Sequence, residues 1–344
     1  MLKKVLLATA VAATAMAAGQ AQARTQIRVV GSSTVYPFTT AVAEQFARAN
    51  SQFRPPIVES TGTGGGIKLF CAGIGAAHPD IANASRRMKA SEAKACAENG
   101  VTNIVEIQIG NDGLALARAK SGAAMALTPA DIYAALAANP WGKPNKARTW
   151  KDVNPKLPAT KIEVLGPPPT SGTRDAFNEL FMDAGCNTKP AMAALKKSDE
   201  AKHKTICTKI REDGAFVEAG ENDNLIVQKL VANPNALGIF GYSYLEENLD
   251  KLKGMSINGV QPTYATISSY QYPGARPLFI YVKGQHMRAV RGLKEFLGEY
   301  TKESTWGPNG YLVRRGLVAS PDNVRPQQAK IAAGLTPLNV ASLK

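Results

Sequence analysis

Three times along this chain an apolar β-type run ends in glycines and small hydroxyl residues and continues as an apolar helical stretch. The first joins residues 27–30 to Gly31-Ser32-Ser33-Thr34, and the second joins Ile57-Val58 to Ser60-Thr61-Gly62-Thr63-Gly64-Gly65-Gly66. The third joins residues 162–165 to Thr170-Ser171-Gly172-Thr173-Arg174. Strand passing directly into helix, repeated, constrains the chain to an α/β fold with mainly parallel sheets. A helix N-terminus also presents unpaired N–H groups and a partial positive charge, so each junction is a candidate anion seat. Ser and Thr hydroxyls can donate to the same anion, and glycine lets backbone approach it closely. Three such junctions in one chain point to convergence on a single tetrahedral oxyanion.

The remaining periodicity agrees with that frame. Phe38, Val42 and Phe46 lay one apolar stripe on a helix after the first junction, as Phe177, Leu180 and Phe181 do after the third. Residues 104–109 and 114–117 read as strand on either side of Gly110-Asn111-Asp112-Gly113. Thr128 and Pro129 open a helix as N-cap and N1, 225–230 is helical, and 238–242 is a short buried strand. Residues 277–282 form a strongly apolar strand, followed by a helix with Val290, Leu293, Phe296 and Leu297 on one face. The Pro-rich patches 139–158 and 166–169 read as ordered loops. Gly110–Gly113 and Tyr272–Arg276 are the expected crossings between two lobes, which makes the first lobe discontinuous: 24–111 with 273–344, around a second lobe at 112–272.

Residues 1–23 read as a signal peptide. Lys3 and Lys4 precede a 14-residue apolar run at 5–18, and Ala21-Gln22-Ala23 supplies the cleavage signal, predicting a cut after Ala23 and export to the periplasm. The run is shorter than the roughly 18–20 residues of a spanning helix. No cysteine marks a lipid anchor at the cut; an uncleaved anchor is the alternative. Without those residues, 321 remain, with 39 basic and 27 acidic side chains and a net charge of +12. The basic residues are scattered, with neither a long Lys/Arg tract nor an RNA-binding aromatic signature, so nucleic acid is not an expected partner. Cys71, Cys96, Cys186 and Cys207 are an even set in an exported chain, and proximity pairs Cys71 with Cys96 and Cys186 with Cys207. Zinc is disfavoured because no C-x-x-C occurs, so no metal is expected.

Any one Gly/Ser/Thr turn is more often a structural cap than a site. A hydrogen bond to a charged group contributes about 1.5–3 kcal/mol, and micromolar binding needs about 8 kcal/mol. One loop therefore binds weakly, whereas several loops plus an arginine reach scavenging affinity. Arginine's planar fork matches a tetrahedral oxyanion. Arg174, in the first turn of its helix, and Arg86, after the strand-like run 80–85, are the candidates; an interlobe or surface salt bridge is the alternative for each. Arg87 points to the other side and reads as surface.

On these residues the whole mature chain resembles the phosphate-binding receptors of bacterial high-affinity phosphate ABC transporters, a branch of the type II periplasmic binding proteins. The matching segments are 31–37, 62–68, 80–86, Ser171-Gly172-Thr173-Arg174, Asp223-Asn224 with 236–242, and 276–282. The resemblance implies a two-lobed α/β fold with mixed, mainly parallel sheets flanked by helices and a ligand in the interlobe cleft. It implies inorganic phosphate as ligand, an ABC permease as partner, no cofactor and a monomeric receptor. Its ligand positions fall on Ser33, Thr34, Thr63, Ser171, Gly172 and Thr173. Two departures stand out. Some members carry an aspartate that accepts the phosphate proton where this chain has Ser85, and an arginine where it has Pro167. Arg86 or Arg174 is then the expected replacement for the lost positive charge, Ser85 or Arg86 a further ligand of the first lobe, and Asp112 the candidate acceptor, with a structural turn role as its alternative.

Enzyme readings find little support. His78, His203 and His286 form no H-E-x-x-H pattern and read as surface or loop residues; no G-x-S-x-G elbow occurs, and 62–68 lacks the G-K-[ST] ending of a P-loop. Ser171 has no identifiable base, and Glu246-Glu247 and Glu221/Asp223 read as helix surface and cap. The alternatives carried forward are a receptor for another oxyanion such as sulfate, an extracytoplasmic phosphatase, and an interaction protein that kept the fold.

Overall fold

The computed structural model describes residues 25–343 apart from 33, 170, 221 and 222. The expected signal segment with its cut after Ala23, the expected ligand Ser33, and Glu221 lie outside the described residues. Among the described residues no helix is long and apolar enough to cross a membrane.

Among the described residues eleven strands run in chain order as β1 (Arg28–Gly31), β2 (Ile57–Ser60), β3 (Ile81–Ala84), β4 (Ile104–Ala119), β5 (Ala126–Leu127), β6 (Val164–Gly166), β7 (Phe216–Glu218), β8 (Leu237–Gly241), β9 (Leu252–Gly254), β10 (Ser256–Ile257) and β11 (Ala275–Lys283). Nine join in one sheet ordered β2-β1-β3-β11-β4-β8-β6-β7, with β9 also on β4; β5 and β10 pair separately. Pairing is parallel at both wings, β1 with β2 and β3, and β6 with β7 and β8. It is antiparallel in the middle, where β11 meets β3 and β4, and β4 meets β8 and β9. The central strands are buried on both faces, as their near-continuous apolar sequences require.

The stretches read as two strands around 110–113 are one 16-residue strand, β4. Its first part pairs with β11 through Gly110↔Leu278, Asp112↔Arg276 and Gly113↔Ala275. Its second part pairs with β8 from Leu114 to Ala117. The chain thus passes from one half of the molecule to the other inside the ladder, because β11, with Val318 exchanging both hydrogen bonds with Asn111 at 2.8 and 3.0 Å, holds the backbone of residues 110–113 that a turn would leave to water.

Each half has its own core. On the β1 side, α1 (Tyr36–Ala49) buries Phe38, Val42 and Phe46 against Val29, Ile280, Leu293, Phe296 and Leu297. The opposite face of that wing holds α2 (Thr63–Phe70) and α3 (Ala90–Glu98) over Ala82, Ala84 and Tyr281. The other half packs Phe177, Phe181, Trp150 and Tyr133 around Val164, Ile239 and Phe240. Thr128 caps the helix Pro129–Leu136, accepting from the Asp131 N–H at 3.1 Å.

Both expected disulfides are formed. Cys71–Cys96 ties the end of α2 to α3, and Cys186–Cys207 ties the end of the helical stretch 172–186 to the helix Glu200–Thr208. Two histidines depart from their reading. His203 is buried beside that second disulfide, 2.8 Å from Asn187 Oδ1, and His286 is buried with Nδ1 2.6 Å from Asp80. Both belong to helix or turn segments whose outward-looking sequences are covered by distant parts of the chain.

Candidate functional site

The first two junctions meet because glycines let them. Gly31 ends β1 at φ +132°, and a Cβ there would strike the backbone of Asn83 in β3. A Cβ on Gly66, in the first turns of α2, would strike the backbone of Gly31. With neither Cβ present, the end of β1, the N-terminus of α2 and the end of β3 close against one another. Their small residues, Ser32, Thr34, Gly62, Thr63, Gly64, Gly65 and Ser85, then line one wall of a cleft of about 540 Å³ together with Arg86.

On that wall the hydroxyls are already coupled. The Ser85 N–H donates to Thr63 Oγ1 at 3.1 Å, and the two hydroxyl oxygens are 3.0 Å apart. Either can donate to the other, so a bound anion can accept from whichever remains. The N–H groups at the start of α2 face the same space, and an eight-residue helix adds its dipole to them. Ser32 is turned partly inward, its Oγ accepting from the Val35 N–H at 3.3 Å.

The opposite wall comes from the second half of the molecule, chiefly Asp175, Asn178, Glu179 and Asp183, with Lys196, His203, Lys204 and Thr208. Three of the acids recur every four residues along one helical face. From Asn178 to Asp183 that helix widens to π geometry, a distortion often found at functional sites. Burial raises the Asp175 carboxyl above its ordinary range, against the lowering effect of Arg276, Lys204 and Arg174. Asp183 is held by Lys196 at 2.5 Å and accepts from Asn187 at 3.1 Å. Lys89 and Glu200 reach across the cleft to 3.5 Å.

The third junction is placed differently. Ser171 is buried and caps its own helix, Gly172–Phe177, accepting from the Thr173 N–H at 3.2 Å. Among the described residues, the cleft lining on this side begins at Asp175 rather than at Ser171 or Thr173. Arg174 is not brought to the cleft. Helical rotation sets it on a different face from Asp175, where its guanidinium lies 4.5 Å over the Phe216 ring and Nη1 donates to the Pro167 carbonyl at 2.8 Å. Burial lowers its pKa, and it lines a neighbouring cavity of about 440 Å³ that shares Asn178 and Thr208 with the cleft.

Arg86 does line the cleft, but its fork is engaged: Nη1 and Nη2 donate to the two Glu92 oxygens at 2.9 and 2.7 Å. That hydrogen bonding raises the Arg86 pKa, and it lets Arg86 hold α3 in place, since Glu92 also accepts from the Lys89 N–H at the helix start. Asp112, expected as an acceptor, accepts at 3.2 Å from Nε of Arg276. Arg87 pairs with Glu106 at the surface, as expected.

Arg276 itself is the residue the sequence reading left without a role. It is 4% exposed, its Nη2 donates to Thr34 Oγ1 at 2.9 Å, and its Nη1 is buried with no hydrogen-bond partner. The available signal was an arginine at the mouth of a strand that is otherwise apolar from Leu278 to Val282. One histidine–carboxylate pair belongs to the wall opposite the cleft hydroxyls, His203 Nδ1 standing 3.6 Å from Asp183, and among the described residues no metal cluster lies beside the hydroxyls themselves. One group of metal-type side chains, Cys186, His203 and Cys207, has both sulfurs in a disulfide.

Comparison with known proteins gives a consistent picture. A model described as a PBP superfamily domain matches residues 16–304. The chain is 32% identical over 289 residues to Protein SphX of Synechococcus elongatus, covering 82% of this chain and 74% of that protein. It is 31% identical over 281 residues to the phosphate-binding protein PstS of Staphylococcus saprophyticus, covering 79% and 74%. The crystal structure of a possible phosphate binding protein from Planctomyces limnophilus superposes with a TM-score of 0.69 at 30% identity, over 91% of this chain and 99% of that one.

Proposed function

This chain belongs to the PBP superfamily and is related to SphX and to the phosphate-binding protein PstS, and from that premise we propose that it is an extracytoplasmic receptor for inorganic phosphate. It captures the anion between its two lobes and delivers it to an ABC permease. It is a binding protein and not an enzyme, in keeping with relatives named for what they bind. The finer assignments are part of the same proposal: lobes at 24–111 with 273–344 and at 112–272, cleavage after Ala23, a periplasmic location and a monomeric state.

One observation carries the reading. Hydroxyls from sequence-distant loops, Thr34, Thr63 and Ser85, line one cleft with a glycine-rich helix N-terminus, facing a wall from the other lobe. Thr34 and whichever of the paired Thr63 and Ser85 hydroxyls keeps a free proton donate to the phosphate oxygens together with the N–H groups of Gly64 and Gly65, and Ser33 joins them from the first loop. Arg86 adds positive potential from the cleft wall. Ser171, Gly172 and Thr173 supply the donors of the second lobe, reached when the lobes draw together on the anion. Such differential contact is what lets a ligand favour a closed form.

Calorimetry of the mature chain with phosphate, arsenate and sulfate tests this. Saturable phosphate binding at one site per chain is expected, with no turnover of a generic phosphate ester. Tight sulfate binding without a phosphate response would replace the ligand, and release of phosphate from the ester would replace the receptor reading.

A further inference from the structure

Resting on the phosphate reading, we propose that Arg276 is the arginine that grips the anion, and that Glu179 from the facing lobe accepts the proton of phosphate and thereby disfavours sulfate.

Arg276 sits where both crossing strands and both lobes meet. It belongs to β11, opposite Asp112 of β4. Three of its directions are spoken for or nearly so. Nε is held by Asp112 at 3.2 Å, Nη2 by Thr34 at 2.9 Å, and Glu179 Oε2 stands 3.7 Å from Nη1, too far for a hydrogen bond. Nη1 is therefore a buried donor with no acceptor. Leaving such a group unpaired is costly, and a charged one more so. Its other contacts fix the plane of the guanidinium, so the vacant edge is presented in a set direction beside Thr34, a residue of the cleft wall. An oxyanion seated on Thr34 and Thr63 completes that edge. Arg86 is committed to Glu92 and Arg174 to Phe216, so of the described arginines near the cleft Arg276 is the one with an edge to offer.

Glu179 follows from the same geometry. Its side chain is about half exposed in the cleft and already lies against the vacant edge of Arg276. An anion placed there stands next to a carboxylate. Two like charges in contact repel unless a proton lies between them. Phosphate retains a proton at neutral pH and can donate it to Glu179; sulfate retains none. The carboxylate thus turns from a repulsive neighbour into an acceptor for one ligand only, which is how specificity is gained by building a penalty against the competitor. Ser85 carries no charge, so whatever hydrogen bond its hydroxyl makes, it sets no penalty against sulfate.

The test is calorimetry of the full mature chain and its variants with inorganic phosphate and with sulfate at neutral pH, thermal unfolding being followed in parallel. R276Q is expected to weaken phosphate binding at least thirtyfold, with R276K recovering part of the loss. E179Q, at an exposed position that should fold normally, is expected to weaken phosphate about tenfold and strengthen sulfate about tenfold. E247Q, at an exposed carboxylate outside the cleft lining, should leave the phosphate-to-sulfate ratio within threefold. An unchanged ratio in E179Q, or an equal change of the ratio in E247Q, overturns the Glu179 role. Phosphate affinity within threefold of the unaltered chain in folded R276Q overturns the Arg276 role while leaving the receptor reading intact. Failure of the unaltered chain to bind phosphate overturns both.

Discussion

The glycine-rich junctions of the first lobe and the Ser-Gly-Thr junction of the second share one local design but not one arrangement. In the first lobe, Gly31 and Gly66 bring two loops and the end of β3 together, so that Thr34, Thr63 and Ser85 share a wall. In the second, Ser171 spends its oxygen on its own helix and Arg174 turns back to Pro167 and Phe216. Local sequence makes a cap; only the packing of backbone against backbone makes a shared seat. A preassembled wall faces a wall that must be recruited, and that asymmetry gives a receptor a state to leave and a state to enter.

The broadest way to break the comparison is through the staples, because each lobe ties the helix leaving its junction to a later helix. The bridges close 25 and 21 residues, so replacing either pair with serine should cost about 3 kcal/mol in denaturant unfolding. Similar losses in both lobes are expected. A negligible loss in one would show that its helix is held by packing alone.

Next comes the glycine contact. Gly66→Ala in an ordinary helix would stabilise by about 1 kcal/mol, but here the added Cβ meets the backbone of Gly31, which cannot rotate away. Overpacking should win, giving a net loss of about 2 kcal/mol and weaker phosphate binding in calorimetry. A stabilised variant would show that the two loops are free to separate.

Thr63→Val and Ser171→Ala sharpen the contrast directly. Thr63→Val should lower phosphate affinity about tenfold, because it removes a donor from the seat, and lower stability by about 1 kcal/mol, because the Ser85 N–H loses its acceptor. Ser171→Ala should lower stability by about 1 kcal/mol through the lost cap and also lower affinity. Unchanged affinity in Ser171→Ala would remove the third junction from the site.

The smallest effect concerns Arg86, whose charge is tied to Glu92. Burial alone would raise the Glu92 carboxyl, but hydrogen bonds from Arg86 and from the Lys89 N–H outweigh it and hold the pKa below its ordinary value. A depressed carboxylate contributes stability above its unfolded pKa and loses it as pH falls through the folded one. E92Q should therefore be less stable than the unaltered chain by about 1 kcal/mol at neutral pH, with the gap closing below the ordinary carboxylate range. A gap that persists in acid would show that the pair matters through shape and not charge.

The sequence carried much of this. Alternation of apolar runs and glycine–hydroxyl turns gave the α/β class, the helix faces of Phe38, Val42 and Phe46, the Thr128 cap and both cysteine pairs, all of which depend on neighbours a few turns away. What it could not carry was set by distant partners. The burial of His203 and His286 depends on segments that fold over them. The turning away of Arg174 depends on Phe216. The importance of Arg276 depends on which residue of β4 stands across from it, and register between remote strands leaves no local trace.

The long strand β4 has a mechanical consequence. Because the link between halves is a hydrogen-bonded ribbon of β4 and β11, and not a pair of slack loops, relative movement must flex a ladder whose bonds stay made. Its pairing slips register once, between Leu278 and Phe279, close to where the strands cross. That makes the connection a leaf spring: compliant in one bending direction, stiff against shear and separation, and able to return the halves to the same alignment after every cycle.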